Sequence, residues 1–209
     1  MKIFSDLDGT LIDVAPRHYG VYSELVEQFG GQALAQTVYW DLKRKKTRWS
    51  ELLPLSKLSA DIEPQFLAAF IEKIENPRYL RIDRLFPGAL IALTAMQAAS
   101  DELYIVSLRR QPERLKHQLQ ELGILQYFAE VLSGHSENDG YDVKIRLIQN
   151  KLQGGKGMII GDTEADIITG KELGLTTVAV TSGLRAEQFL RALQPDHIVA
   201  NVGDIKDVL

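Results

Sequence analysis

From about residue 85 onward, short β-branched runs alternate with amphipathic stretches, and this alternation narrows the possible folds more than any other feature of the chain. "LYIVS" (103–107), "EVLS" (130–133), "GMIIG" (157–161), "TTVAV" (176–180) and "HIVA" (197–200) read as strands. Between them "GALIALTAMQAAS" (88–100), "PERLKHQLQELG" (112–123), "VKIRLIQNKL" (143–152), "EADIITGKELG" (164–174) and "AEQFLRAL" (186–193) read as helices, several with Pro at the start or Gly at the end. Strands separated by helices must run parallel, so the expectation is an α/β fold: a Rossmann-like parallel sheet with helices on both faces. Lys2 to Ser5 supplies one more apolar strand at the N-terminus.

Residues 14–84 break the pattern. "RHYGVYSELVEQFG", "LAQTVYWDLKRKK", "WSELLPLSKL" and "EPQFLAAFIEKI" all read as helices, and no strand run appears among them. Turn-rich "DVAP" and "LFPG" flank the segment. The expected organisation is a catalytic core of residues 1–13 and 85–209, interrupted by an inserted all-helical domain over 14–84.

Composition excludes some functions. With 209 residues, 45% of them hydrophobic, the chain can bury a sizeable core. A net charge of −4 argues against a general nucleic-acid binder. With no cysteine, disulfides and thiolate metal sites are impossible. No apolar run approaches membrane-spanning length, and Met1 leads directly into a strand too short for a secretory leader. A cytoplasmic monomer or homodimer without nucleic-acid or membrane partners is expected.

Ligands of open parallel sheets bind beyond the carboxyl ends of the strands. Those ends carry Asp6 and Asp8 after the first strand, then Ser107, Arg109 and Arg110 after "LYIVS", then Asp162, Thr163 and Asp166 after "GMIIG". Lys144 lies at the start of the helix following "YDV". Carboxylates gathered at one sheet edge need a counter-charge, and oxygen ligands without His or Cys favour Mg²⁺. A Lys and a hydroxyl beside such an ion make a cradle for a phosphoryl group. Asp6 and Asp8 fall on one side of an extended segment, so one can serve as nucleophile while the other handles protons. Gly9 permits a tight turn, expected to leave backbone N–H groups for phosphate oxygens.

Together "DLDGT", the Ser ending "IVS", Lys144 and "GDTEAD" resemble the four ordered motifs of the haloacid dehalogenase superfamily. The inserted segment resembles the helical cap of its phosphoglycolate phosphatase and beta-phosphoglucomutase branches. The resemblance implies that Asp6 attacks phosphorus and becomes an aspartyl phosphate, while Asp8 protonates the leaving oxygen and later activates water. It implies Mg²⁺ held by Asp6, the Asp8 carbonyl and Asp162, with Asp166 ligating through water or orienting. Ser107 and Lys144 then hold phosphoryl oxygens, and Thr10 supports the nucleophile loop in the same phosphate-binding group. An acid at position 8 favours phosphate esters over carbon–halogen or phosphonate cleavage, because an alkoxide leaving group needs a proton. The implied enzyme is a Mg²⁺-dependent phosphomonoester hydrolase acting on a small phosphorylated metabolite, with a cap that opens and closes. A phosphosugar mutase and a catalytically quiet phospholigand-binding protein are the alternatives; the mutases' "GxSR"-like loop is missing here.

Three further features stand beside this constellation. Arg109 is placed to reach a substrate carboxylate or phosphate, and His18 is a candidate substrate contact from the first helix of the insertion. Lys43, Arg44, Lys45, Lys46 and Arg48 form a basic run that reads as a solvated helix end. Trp40 and Trp49 read as core of the insertion.

Overall fold

In a computed structural model describing residues 1–135 and 140–209, the chain divides into two compact units, Met1–Asp13 with Arg84–Leu209, and Val14–Asp83. It begins with β1 (Lys2–Ser5) and β2 (Ile12–Asp13), then runs through α1 (Ala15–Gln28), α2 (Gln36–Arg44), α3 (Trp49–Leu55), α4 (Glu63–Ile74) and the short α5 (Pro77–Leu80). It continues with β3 (Arg84–Leu85), α6 (Ala89–Ala99), β4 (Glu102–Ser107), α7 (Pro112–Glu121) and β5 (Glu130–Ser133). The last third holds α8 (Tyr141–Leu152), β6 (Gly157–Gly161), α9 (Glu164–Glu172), β7 (Thr176–Val180), α10 (Glu187–Ala192) and β8 (His197–Val199).

The larger unit is built on a six-stranded sheet of order β5-β4-β1-β6-β7-β8, with every pairing parallel. β1 lies inside it, so Ile3, Phe4 and Ser5 are wholly buried. On one face Phe4 stacks on Tyr104 with ring centres 5.1 Å apart, and Val106, Ile159, Ile148 and Leu152 complete that core. On the same face, beyond Ile159, Ile167 of α9 packs with Ala179 and Leu190. The chain moves from β1 through β4 to β5, then returns past β1 to β6. The order therefore reverses at β1, and the carboxyl ends of β4, β1 and β6 converge there, which is where such sheets open a crevice. Register sets the details: Ser5 lies opposite both Ile105 and Ile160, so Asp6 emerges beside the ends of both neighbouring strands.

Two pieces of this unit escaped the sequence reading. β2 and β3 form an antiparallel ladder, Ile12 opposite Leu85 and Asp13 opposite Arg84, where turns alone were expected. Strands of two residues are too short to show a period. The helix carrying Lys144 begins at Tyr141, so Lys144 sits a turn inside it rather than at its start.

The smaller unit is all helical. Val21, Tyr22, Leu25, Tyr39, Leu53, Phe66 and Phe70 form its core, with Trp40 and Trp49 packed against them. Tyr22 and Tyr39 stack at 4.1 Å, and the Tyr22 hydroxyl shares a 2.7 Å hydrogen bond with Ser56 Oγ. A buried ion pair of 3.2 Å joins Arg17, near the start of α1, to Asp83, the unit's last residue. The basic run is partly engaged within the unit: Lys43 Nζ lies over the rings of Trp49 and Phe70, and Lys45 pairs with Asp41 at 2.7 Å. No helix among the described residues is long and apolar enough to cross a membrane.

Candidate active site

The strand ends of the larger unit hold the buried carboxylates of Asp6, Asp162 and Asp166, each with an oxygen within 4.8 Å of the others. Asp6 follows β1 directly, and its backbone N–H donates to Ile160 O at 2.8 Å, which fixes it against β6. Asp162 follows β6, and Asp166 lies in the first turn of α9.

Lys144 reaches this group from α8. Its ammonium donates to Asp6 Oδ1 at 2.6 Å and to Asp166 Oδ1 at 2.5 Å, and its side chain is 2% exposed. Asp166 also closes a capping box, accepting from the Thr163 N–H at 3.1 Å and the Thr163 hydroxyl at 2.7 Å. Asp162 is held at both oxygens: the Thr10 hydroxyl donates to Oδ1 at 3.0 Å, and the Leu184 N–H donates to Oδ2 at 2.6 Å.

Charge in the cluster is unbalanced. Burial pushes the Asp6 carboxyl well above the usual range; Lys144 pulls it down, and the charges of Asp166 and Asp162 push it up again. Burial, then the charge of Asp166, pushes Asp162 up to about 7, against the Leu184 and Thr10 hydrogen bonds. Burial alone would lower Lys144, but Asp166 and Asp6 more than offset it and hold the ammonium above its ordinary range. Three buried carboxylates facing one buried ammonium is a donor set that fits a divalent cation, and its all-oxygen chemistry suits a hard one.

The remaining predicted residues fall in different places. Ser107, the last residue of β4, is buried, and its Oγ accepts the Arg109 N–H at 3.3 Å. Asp8 is turned to Arg109, whose Nε and Nη2 donate to its two oxygens at 2.6 Å each. His18 belongs to the helical unit, buried against the rings of Trp40 and Phe70. The expectation for the glycine turn needs correction. The Gly9 N–H is donated to Ile12 O, and the N–H groups of Thr10 and Leu11 go to Leu7 O. The turn closes on itself, so these three donors are engaged within it.

Gly9 has φ +84°, a conformation that disfavours side chains, and a Cβ there would also lie 2.3 Å from Asp162 Oδ2. Gly183, in the loop after β7, is excluded from substitution by space alone: its Cβ would lie 2.1 Å from Asp162 Oδ2 and 2.4 Å from Gly9 O. This clasp went unnoticed in the sequence, because a backbone donor and an absent side chain leave no signature. The strand-end rule that picked out Asp6 and Asp162 also points to residues 181–185. Gly183→Ala is expected to displace Asp162 and weaken divalent-cation binding by about 10- to 100-fold, as changes beside metal ligands do. Titration calorimetry with Mg²⁺ or Mn²⁺ measures this; unchanged affinity would mean that the clasp does not orient Asp162.

Known proteins resemble this chain along its whole length. It is 25% identical to a phosphoglycolate phosphatase of Synechococcus elongatus over 206 residues, covering 97% of this chain and 94% of that one. It is 22% identical to the pyrophosphatase PpaX of Halalkalibacterium halodurans, covering 99% and 95%. Its fold matches a haloacid dehalogenase-like hydrolase of Streptococcus pneumoniae with a TM-score of 0.77 at 20% identity, over 99% of this chain and 97% of that one. The haloacid dehalogenase-like hydrolase family model matches residues 3–180, a span that includes every member of the acidic cluster and Lys144. The chain belongs to the haloacid dehalogenase-like hydrolase family.

Proposed function

We propose that this hydrolase is a Mg²⁺-dependent phosphatase that cleaves the ester of a small phosphorylated metabolite through an aspartyl phosphate. The observation that carries the reading is the buried group of Asp6, Asp162 and Asp166 around the Lys144 ammonium at the sheet's switch point. The names of the phosphoglycolate phosphatase and pyrophosphatase relatives support a small phosphorylated substrate.

In this reading Asp6 attacks phosphorus while the ester P–O bond breaks, and Asp8 gives its proton to the departing oxygen. Asp8, now a carboxylate, takes a proton from water, which attacks the phosphorus of the aspartyl phosphate and returns Asp6 to its starting form. Ser107 and Lys144 hold the phosphoryl oxygens as charge redistributes over them. Mg²⁺ held by Asp6, Asp162 and Asp166, with the Asp8 carbonyl, would neutralise the negative charge gathered there. We assign the choice of substrate in part to the helical unit of residues 14–83, and the chemistry to the strand ends.

The test is release of inorganic phosphate from a panel of phosphorylated metabolites and 4-nitrophenyl phosphate. Turnover is expected with Mg²⁺, its loss in EDTA and its return on adding Mg²⁺. Binding of phospho compounds without any turnover would favour the quiet ligand-binding alternative.

A further inference from the structure

In this structure Asp8 is not turned to the acidic cluster. Its carboxylate lies in the fork of Arg109, one oxygen on Nε and the other on Nη2, both at 2.6 Å. The Arg109 side chain is 3% exposed and that of Asp8 is 23% exposed. The arginine is anchored at the site by its own backbone, whose N–H donates to Ser107 Oγ. A planar guanidinium engaged through two parallel N–H groups matches any carboxylate or phosphoryl face, not only that of Asp8. While both Asp8 oxygens accept from the fork, the carboxylate is committed to Arg109 rather than to a leaving oxygen. To work there, Asp8 must withdraw, and a buried guanidinium that loses a carboxylate is strongly disfavoured unless another anion replaces it.

We propose that Arg109 selects the substrate by exchange. A second anionic group on the phosphate ester, a carboxylate or another phosphoryl, takes the place of Asp8 in the guanidinium fork and so releases Asp8 to the leaving oxygen. The inference rests on the phosphatase reading and names the class of ester that reading takes: small compounds that carry a second anionic group a few bonds from the scissile phosphate. An ester without that anion leaves Asp8 engaged with Arg109 and turns over slowly.

The test compares kcat/KM for matched esters, using the full chain loaded with Mg²⁺. The pairs are 2-phosphoglycolate against ethyl phosphate, and ethylene glycol bisphosphate against 2-hydroxyethyl phosphate. Wild type is expected to prefer the member with the second anionic group in at least one pair by about 100-fold. Arg109→Gln is expected to lower that preference by about 30-fold or more, and Arg109→Lys to give an intermediate value, because an ammonium cannot grip two oxygens in parallel. If the glutamine variant does not fold, the lysine variant carries the comparison. No preference in wild type, or equal loss on both members of a pair, overturns the exchange; equal loss makes Arg109 only a holder of Asp8. Failure of the underlying reading looks different: wild type then releases no phosphate from these esters or from 4-nitrophenyl phosphate, and the proposal falls with it.

Discussion

Asp6→Asn is expected to fold as the wild type does and to lose phosphate release by at least about 10³-fold. The amide matches the carboxylate in shape, and its carbonyl oxygen can keep the 2.6 Å hydrogen bond from Lys144. The amide is neutral and its nitrogen lone pair is delocalised into the carbonyl, however, so it is a poor nucleophile toward phosphorus. Folding stability should move the other way in a chelator. Burial raises the Asp6 carboxyl well above the ordinary range, so its ionised form is less welcome in the folded protein than in the unfolded chain. For an acid shifted upward, the folded state is favoured below the unfolded pKa and loses that advantage as pH rises through the folded value. Near neutral pH the wild type therefore carries a penalty that the amide removes, and the metal-free variant is expected to melt at the same temperature or higher. Thermal unfolding in EDTA, beside single-turnover phosphate release with Mg²⁺, checks both halves. Turnover within tenfold of wild type would falsify the covalent role of Asp6.

The second large effect is expected at Lys144, this time on stability as well as turnover. Lys144→Met removes the ammonium that Asp6 and Asp166 share and leaves their carboxylates buried. Deleting one partner of a buried ion pair costs about 3–5 kcal/mol, because the other charge stays in low dielectric without compensation. In a protein of this size that lowers the melting temperature by roughly 10 °C. The loss should depend on pH in a stated direction. Burial and then the neighbouring charge of Asp166 push Asp162 up to about 7, and Asp6 is also shifted upward. At pH 5.5, below that value, Asp162 takes up its proton, the cluster is less charged, and the missing ammonium matters less. At pH 8 Asp162 is ionised and the penalty is larger. Mg²⁺ should restore part of the stability at pH 8, since an ion bound only by the folded state stabilises it. Activity should stay low even then, because in the proposed mechanism Lys144 is the cationic partner of the phosphoryl oxygens. A destabilisation equal at both pH values would show that Lys144 does not balance the acidic cluster.

How much of this was legible in advance depends on the range over which each feature is set. The parallel sheet was readable because strand and helix periods are local: "LYIVS" and "GMIIG" can hide both faces only inside a sheet, and the helices between them force parallel connections. Asp6, Ser107 and Asp162 were readable for the same reason, as each directly ends or follows such a strand, and strand ends are where an open sheet binds. The β2–β3 ladder and α5 were not, because elements of two and four residues show no period.

The pairing of side chains was decided only in three dimensions. Nothing in "SLRR" says that Arg109 will hold Asp8, a residue 101 positions away, nor that Lys144 will bridge Asp6 and Asp166 across 138 and 22 positions. Those partnerships follow from strand register, from where α8 sits against the sheet, and from which rotamers fit once the core is packed. The clasp on Asp162 was further from view, being a Leu184 N–H and the empty space at Gly183. By itself the sequence determined which charged groups would arrive at one edge, because order along the chain and period within each element are local properties. Tertiary structure decided which of them touch, because a hydrogen bond depends on ångström-scale distances that only the packed chain sets.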